Sequence, residues 1–215
     1  MLPLEIVLAT RNPKKVEELR RMFVGNEVVF LGLNAFPGSP EVAENGSTFE
    51  ENADLKSRAI AGYTQCHALA DDSGLVVDAL GGAPGVHSAR FAGPGATDAQ
   101  NLHLLLATLK RKGGVDHRAR FECALSLCDP QGQIERFSGV VHGTIIAEPR
   151  GANGFGYDPV FVPDGERLTF AQMSAGQKDR ISHRGRALEA LAKGLPKILP
   201  IKTAEGAVDR LVSLR

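Results

Sequence analysis

Four regions of this 215-residue chain hold side chains that can do chemistry and that folding alone does not require. The first is Thr10-Arg11-Asn12-Pro13-Lys14-Lys15, where an apolar run gives way to a helical pattern. Unpaired N–H groups and the positive end of a helix dipole gather at such a junction, and Lys14 and Lys15 add charge, so the segment can hold an anion. The same residues also make a plain capped helix start with solvated lysines. The chain has no G-x-x-x-x-G-K-[ST] phosphate loop. The second region is Asp71-Asp72-Ser73-Gly74, directly after an apolar run. Alternation along a strand sends the two carboxylates to opposite sides, and one of them can face the carboxyl end of a sheet, where open α/β folds place ligands. An aspartate there can hold Mg²⁺ or orient water, and Ser73-Gly74 lets the backbone approach a phosphate. A polar turn is the plainer reading of the same four residues. A serine nucleophile is not expected, since no G-x-S-x-G elbow is present.

In the third region, Glu41 and Glu44 precede Gly46 and can offer a second oxygen ligand to the same metal, with Lys56 following on a helix. Solvated surface charge is the alternative for each. The fourth region is Phe155-Gly156-Tyr157-Asp158-Pro159, followed by Lys178 and by Ser182-His183-Arg184-Gly185. Phe155 and Tyr157 present ring surfaces in a glycine-rich context, suited to stacking on a nucleobase or simply to loop packing. His183 and Arg184, at a helix start, can donate to phosphate or carbonyl oxygens. Phosphate-grade loops together with a stacking loop point to a nucleotide.

The elements that must position these groups are legible in outline. Leu4–Ala9 reads as a buried strand, and Asn12 as the N-cap of a helix with Pro13 at its first position, closed by Gly25 after Phe23. Glu27–Leu31 is a second strand. Ser47…Glu50 and Thr48…Glu51 both fit a capping box, opening a helix to about Gly62. His67–Ala70 is expected as a short strand that stops at the Asp71–Gly74 turn, with a separate strand over Leu75–Val77. Thr97 or Asp98 caps a helix with Leu102, Leu105, Leu106 and Leu109 on one face. Arg118–Cys128 and Gln133–Val141 flank the turn Asp129–Gly132 as a hairpin. A helix returns over Ser182–Lys193. Buried strands alternating with helices, plus one hairpin, predict an α/β fold with a mixed sheet.

Composition narrows the class. Hydrophobic residues are 43% and charged ones 23%, as in an ordinary globular protein, and 25 basic residues meet 25 acidic ones. Zero net charge argues against a duplex nucleic acid or an anionic membrane as partner, so any phosphate must be met locally. The longest apolar stretch, around Leu102–Leu109, falls short of a membrane span. Met1-Leu-Pro-Leu-Glu5 lacks the basic and apolar regions of a signal peptide. Cys66, Cys123 and Cys128 are odd in number and lack zinc-ligand spacing, which fits reduced core residues of a cytoplasmic protein.

The motifs also carry a resemblance. Thr10-x-Asn12-x-x-Lys15, Glu44-Asn-Gly46, Phe49-Glu-Glu-Asn-Ala53, Ala70-Asp-Asp-Ser-Gly-Leu75, Gly81-Gly-Ala-Pro-Gly85, Gly154-Phe-Gly-Tyr-Asp-Pro159 and Ser182-His-Arg-Gly185 occur in order. With that set the chain resembles the inosine triphosphate pyrophosphatase family over roughly residues 4 to 195. Members cleave non-standard purine nucleoside triphosphates (ITP, dITP, XTP) to the monophosphate and pyrophosphate. The resemblance implies one domain over 1–215, an elongated mixed sheet flanked by helices, with two lobes around a central nucleotide-binding cleft, usually as a homodimer. It implies a phosphate loop at Thr10, Arg11, Asn12, Pro13, Lys14 and Lys15, with Asp72 as general base and Glu44 and Asp72 as ligands of Mg²⁺. Ser73, Phe155, Gly156, Tyr157, Asp158, Lys178, His183 and Arg184 fall on substrate-binding positions, and Lys56 near the phosphates. Arg11 stands where a small residue is common, either adding a phosphate contact or pointing outward. The tail 196–215 runs past the usual family end and has no assigned role.

On this reading a metal-positioned water, deprotonated by Asp72, attacks the α-phosphorus. Lys15, Lys56, Lys178 and Arg184 would set four positive charges against the roughly four negative ones of a triphosphate. A nucleotide sensor without turnover would be expected to lack the Asp71-Asp72 pair. A pyrophosphatase acting on modified pyrimidines is disfavoured by the Phe155 and His183 motifs, and a Nudix enzyme by its missing glutamate-rich box.

Overall fold

The computed structural model describes residues 4–22, 28–113 and 116–198. Six strands form one sheet: β1 (Leu4–Leu8), β2 (Val28–Gly32), β3 (His67–Val77), β4 (Arg118–Cys128), β5 (Ile134–Ile145) and β6 (Phe161–Pro163), in the order β2-β1-β3-β4-β5-β6. β1 runs parallel to both β2 and β3, whereas β5 and β6 are antiparallel. The sheet is therefore mixed, as its alternation of strand and helix predicted. Five α-helices complete the fold: α1 (Pro13–Met22), α2 (Phe49–Thr64), α3 (Asp98–Lys112), α4 (Ala175–Ile181) and α5 (His183–Ile198).

Local chemistry explains most element starts. Asn12 Oδ1 accepts from the Lys14 and Lys15 amides at 3.0 and 3.4 Å, and Pro13 follows as the first residue of α1. Of the two overlapping boxes at α2, Thr48 is the cap, its Oγ1 accepting from the Glu51 amide at 3.1 Å. Thr97 caps α3 with a reciprocal Gln100 contact. Asp129 closes the β4–β5 hairpin, accepting from Gly132 N on its carbonyl and from Gln133 N on its carboxylate. The helix end expected at Phe23–Gly25 and the tail from residue 199 lie outside the described residues.

One expectation changes with consequence. The Asp71–Gly74 segment is not a turn between two strands; β3 runs unbroken through it. Its polar side chains find partners on either side, so the backbone has no reason to leave the sheet. At Gly74 the strand also keeps its pairing geometry because Ser88 Oγ accepts from the Leu75 amide at 2.9 Å. α4, β6 and the short helical turns at Asp158–Val160 and Phe170–Gln172 have no strong periodic signal and were not anticipated.

Contacts divide the chain into two compact units. The first holds the segment ending at Asp72, Ala124–Gly139 and the segment from Arg186; the second holds Ser73–Cys123 and Val140–Gly185. In the first, Ile6, Val7, Leu8, Ile60, Leu69 and Leu125 are all buried. In the second, Leu75, Leu105, Leu109, Phe121, Phe161 and Phe170 form a continuous core, with Leu102 and Leu106 of α3 packed against it. Cys66, Cys123 and Cys128 are free thiols, the latter two buried. No helix among the described residues is long and apolar enough to cross a membrane.

Candidate active site

Two groups of buried polar side chains stand out, one in each unit. In the first unit β3 delivers Asp71 and Asp72, α1 delivers Lys15, and α2 delivers Asn52 and Lys56. Strand alternation separates the two carboxylates: Asp71 pairs with Lys15, its own side chain fully buried, while Asp72 meets Lys56 and Asn52. Lys56 Nζ donates to Asp72 Oδ1 at 3.1 Å, to Glu44 Oε1 at 3.0 Å and to the Asp71 carbonyl at 2.8 Å. Glu44 thus shares one ammonium with Asp72, although the two residues come from a loop and a strand. Glu41 is exposed in that loop, and no contact with the cluster is recorded for it.

Electrostatics make the cluster unusual. Three carboxylates, Glu44, Asp71 and Asp72, gather around the Lys15 and Lys56 ammonium groups. Burial raises the Asp72 pKa above the ordinary aspartate value, against the lowering pull of Lys56 and Lys15 and with help from Glu44 and Asp71. Burial alone would lower Lys56, but Asp72, Glu44 and Asp71 outweigh it, and its pKa ends above that of a free lysine. We take Lys56 as charged at neutral pH and Asp72 as a carboxylate with heightened proton affinity. An oxygen-only pair, Glu44 and Asp72, fits a hard divalent cation. No group of three or more metal-ligating side chains occurs among the described residues. A bound Mg²⁺ would therefore complete its shell from water and substrate, which is its habit in phosphate chemistry.

The phosphate-loop residues have separate tasks. Asn12 spends its side chain on the first-turn amides, and its own amide meets Thr10 Oγ1 at 3.2 Å. Pro13 brings no N–H. Arg11 is exposed yet held: its Nη2 donates to the Ser39 carbonyl at 2.9 Å and to Ser39 Oγ at 3.2 Å.

In the second unit the group is built on the 154–158 loop, α4 and the start of α5. Gly154 adopts φ +71°, and a Cβ there would collide with Asp158 Oδ2. That close approach lets Asp158 Oδ2 accept from the Phe155 amide at 2.9 Å and from Lys178 Nζ at 2.7 Å. Lys178 Nζ lies 4.9 Å from the Phe155 ring centroid and Arg184 Cζ 5.8 Å from it, so the ring is flanked by two cations. Arg184, only 2% exposed, donates to Ser73 Oγ at 2.8 Å. His183 stacks on Phe121 with centroids 4.8 Å apart and an 11° interplanar angle. Gly156, at φ +61°, carries the loop between Phe155 and Tyr157.

Two expectations change here. Tyr157 is not a stacking surface beside Phe155. It is 4% exposed in the core, its hydroxyl donates to the Ser88 carbonyl at 2.9 Å, and burial pushes its phenol pKa upward. The glycines beside it let alternate rings turn opposite ways, and the larger apolar area was gained inward. The second change concerns charge: Lys15, Lys56 and Lys178 are not loose cations awaiting a triphosphate, since each already faces a carboxylate. A buried ammonium without an anion would be too costly to keep. Asn52, completely buried and bonded to Asp72, joins the site; the Phe49–Ala53 motif contains it but assigns it no role.

Comparison with known proteins bears on the sequence and the fold. Residues 6–194 match the model of the Ham1 family. A dITP/XTP pyrophosphatase of Geobacter sulfurreducens is 47% identical over 186 residues, covering 86% of this chain and 94% of that protein. One from Syntrophobacter fumaroxidans is 48% identical over 208 residues, covering 96% and 88%. Among solved structures, a HAM1 protein from Coxiella burnetii superposes with a TM-score of 0.84 at 42% identity, covering 90% of this chain and 99% of that one. The nucleoside-triphosphatase / dITP/XTP pyrophosphatase of Mycobacterium abscessus superposes with a TM-score of 0.72 at 45% identity, covering 87% and 98%. A family model matched over residues 6–194 and a fold shared over nine-tenths of the chain leave one assignment: this protein belongs to the Ham1 family.

Proposed function

We propose that the protein hydrolyses non-standard purine nucleoside triphosphates (ITP, dITP and XTP) to the monophosphate and pyrophosphate, clearing them from the nucleotide pool. The observation that carries the reading is the buried Asp72, held by Lys56 and Asn52. Relatives at 47–48% identity named dITP/XTP pyrophosphatase support the choice of substrate class.

Glu44 and Asp72 are the residues that would hold Mg²⁺, which supplies neutralisation of phosphate oxygens when bound. Asp72 takes a proton from water as that water's oxygen bonds to the α-phosphorus, and the bond to pyrophosphate breaks. A carboxylate whose proton affinity is raised by burial is better matched to that task than an ordinary aspartate. Lys56 keeps Asp72 ionised and in place, and Lys14 and Lys15 of α1 attract the phosphates. Phe155 stacks on the base, with Lys178 and Asp158 holding the loop, Gly156 allowing its turn and Tyr157 anchoring it. Arg184 and the backbone near His183 donate to an oxygen at purine C6, and Ser73 sets the Arg184 guanidinium. Facing an adenine amino group, those buried donors would go unpaired, which can reject the wrong base by ~10⁴-fold. The working protein on this reading is a cytoplasmic homodimer.

The test is pyrophosphate release from ITP, dITP, XTP, ATP and GTP with Mg²⁺, repeated in EDTA. The first three substrates should be strongly preferred over ATP and GTP, activity should vanish in EDTA, and Arg184→Ala should narrow the ITP/ATP ratio. Equal kcat/KM for ATP and ITP would leave only a general nucleotide pyrophosphatase, and full activity in EDTA would remove the metal.

A further inference from the structure

Asn52 is completely buried on α2, and both ends of its amide are used. Nδ2 donates to Asp72 Oδ2 at 3.1 Å, while Oδ1 accepts from the Gly46 amide at 2.8 Å. The orientation of the amide is set by its partners, because an ionised carboxylate can only accept and a backbone N–H can only donate. Aspartate would turn an acceptor toward Asp72, and leucine would satisfy neither neighbour. At Gly46 the approach is so close that a Cβ would stand 2.8 Å from Asn52 Oδ1. Gly46 lies two residues after Glu44, so one side chain ties the Glu44 loop to the Asp72 strand. Lys56, the other link between Glu44 and Asp72, is one helical turn further along α2.

Taking Glu44 and Asp72 as the metal-binding pair, we propose that Asn52 is the positioning residue that sets their separation and the direction of the Asp72 carboxylate before any cation arrives. Lys56 supplies charge but little direction, since an ammonium rotates freely among three acceptors. Asn52 supplies direction without charge. It acts through Gly46 and Asp72 and is not a catalytic residue.

The experiment compares the unmodified chain with Asn52→Leu and Asn52→Ser, by Mn²⁺ titration without nucleotide and by steady-state kinetics on ITP. Mn²⁺ binding is read by electron paramagnetic resonance and water-proton relaxation, at a temperature where circular dichroism shows each variant folded. Loss of a group that orients metal ligands typically costs about 10–100-fold in metal affinity. Both variants should weaken Mn²⁺ binding by about that factor and lower kcat similarly, with KM for ITP moving less than about threefold. Asn52→Ser leaves room for water and keeps the test open if Asn52→Leu does not fold. Unchanged Mn²⁺ affinity in a folded variant, or a loss confined to KM, overturns the positioning role while leaving the proposed activity intact. Absence of Mn²⁺ binding by the unmodified chain overturns the metal reading itself, and this role with it.

Discussion

Lys56 and Lys178 are both buried lysines paired with an aspartate on a neighbouring segment, yet their surroundings differ in kind. Lys56 is divided among three oxygens, two of them from the carboxylates of Glu44 and Asp72. Lys178 pairs with Asp158 and lies 4.9 and 5.7 Å from the Phe155 and Phe170 ring centroids, with Arg184 also near the Phe155 ring. The first ammonium is shared among oxygens, so its contacts can be redistributed when a cation or a phosphate enters. The second is ring-walled and tied to one loop, which suits a platform that keeps its shape. Two buried lysine–aspartate pairs thus differ in what surrounds the ammonium, shared oxygens in one and aromatic rings in the other.

The strongest way to break this contrast is to remove charge from Asp72. Asp72→Asn should lower kcat by about 10²–10⁴-fold, as expected on losing a general base, while nucleotide still binds in a direct titration. Asp71→Asn, on the other side of β3 against Lys15, should cost turnover much less. Equal losses from the two, or near-normal turnover by Asp72→Asn, would reject the distinction between them.

On the other site the dominant effect should be on stability. Lys178→Met removes one partner of a buried pair (6% and 3% side-chain exposure) and leaves the Asp158 carboxylate without that ammonium. Breaking such a pair typically costs about 3–5 kcal/mol, read from urea unfolding. A loss under about 1 kcal/mol would mean that the pair is not structurally important. Lys56→Met should act differently, through protonation. Asp72 must be ionised to accept a proton, so activity falls as pH drops through its pKa. Burial already raises that pKa, and Lys56 is the largest counterweight among the charges around it. Without Lys56 the acid limb of the kcat profile should move to higher pH. An unmoved limb would separate Lys56 from Asp72.

The smallest effect is expected at the ring. Phe155→Leu should raise KM for ITP by about tenfold, within the 1–3 kcal/mol typical of base–aromatic stacking, and leave the ITP/ATP ratio nearly unchanged because every base has a face to stack. A changed ratio would give Phe155 a part in selectivity, which the present contrast assigns to Arg184.

Much of this architecture was legible before any coordinates, and the legible parts share a cause. Asn12-Pro13, Thr48, Thr97 and the Asp129–Gly132 turn act on backbone groups two to four residues away, so their effect is written locally. The leucines of α3 and the apolar run of β1 report burial through periodicity alone. By contrast β6 is three residues long and α4 seven, too short for a period to emerge.

The sequence by itself determined the inventory: which residues could bind an anion, hold a cation or stack on a base, and that their motifs recur together in one family. Only the tertiary structure decided the pairings, because each joins groups far apart along the chain. It matched Lys15 to Asp71 and Lys56 to Asp72, kept β3 straight through four polar or flexible residues, turned Tyr157 into the core and drew Asn52 into the site. Spacing along a chain cannot express these choices. A buried charge or amide is held by whichever complementary group the fold brings within about 3 Å, and that distance is set by the packing of strand against helix.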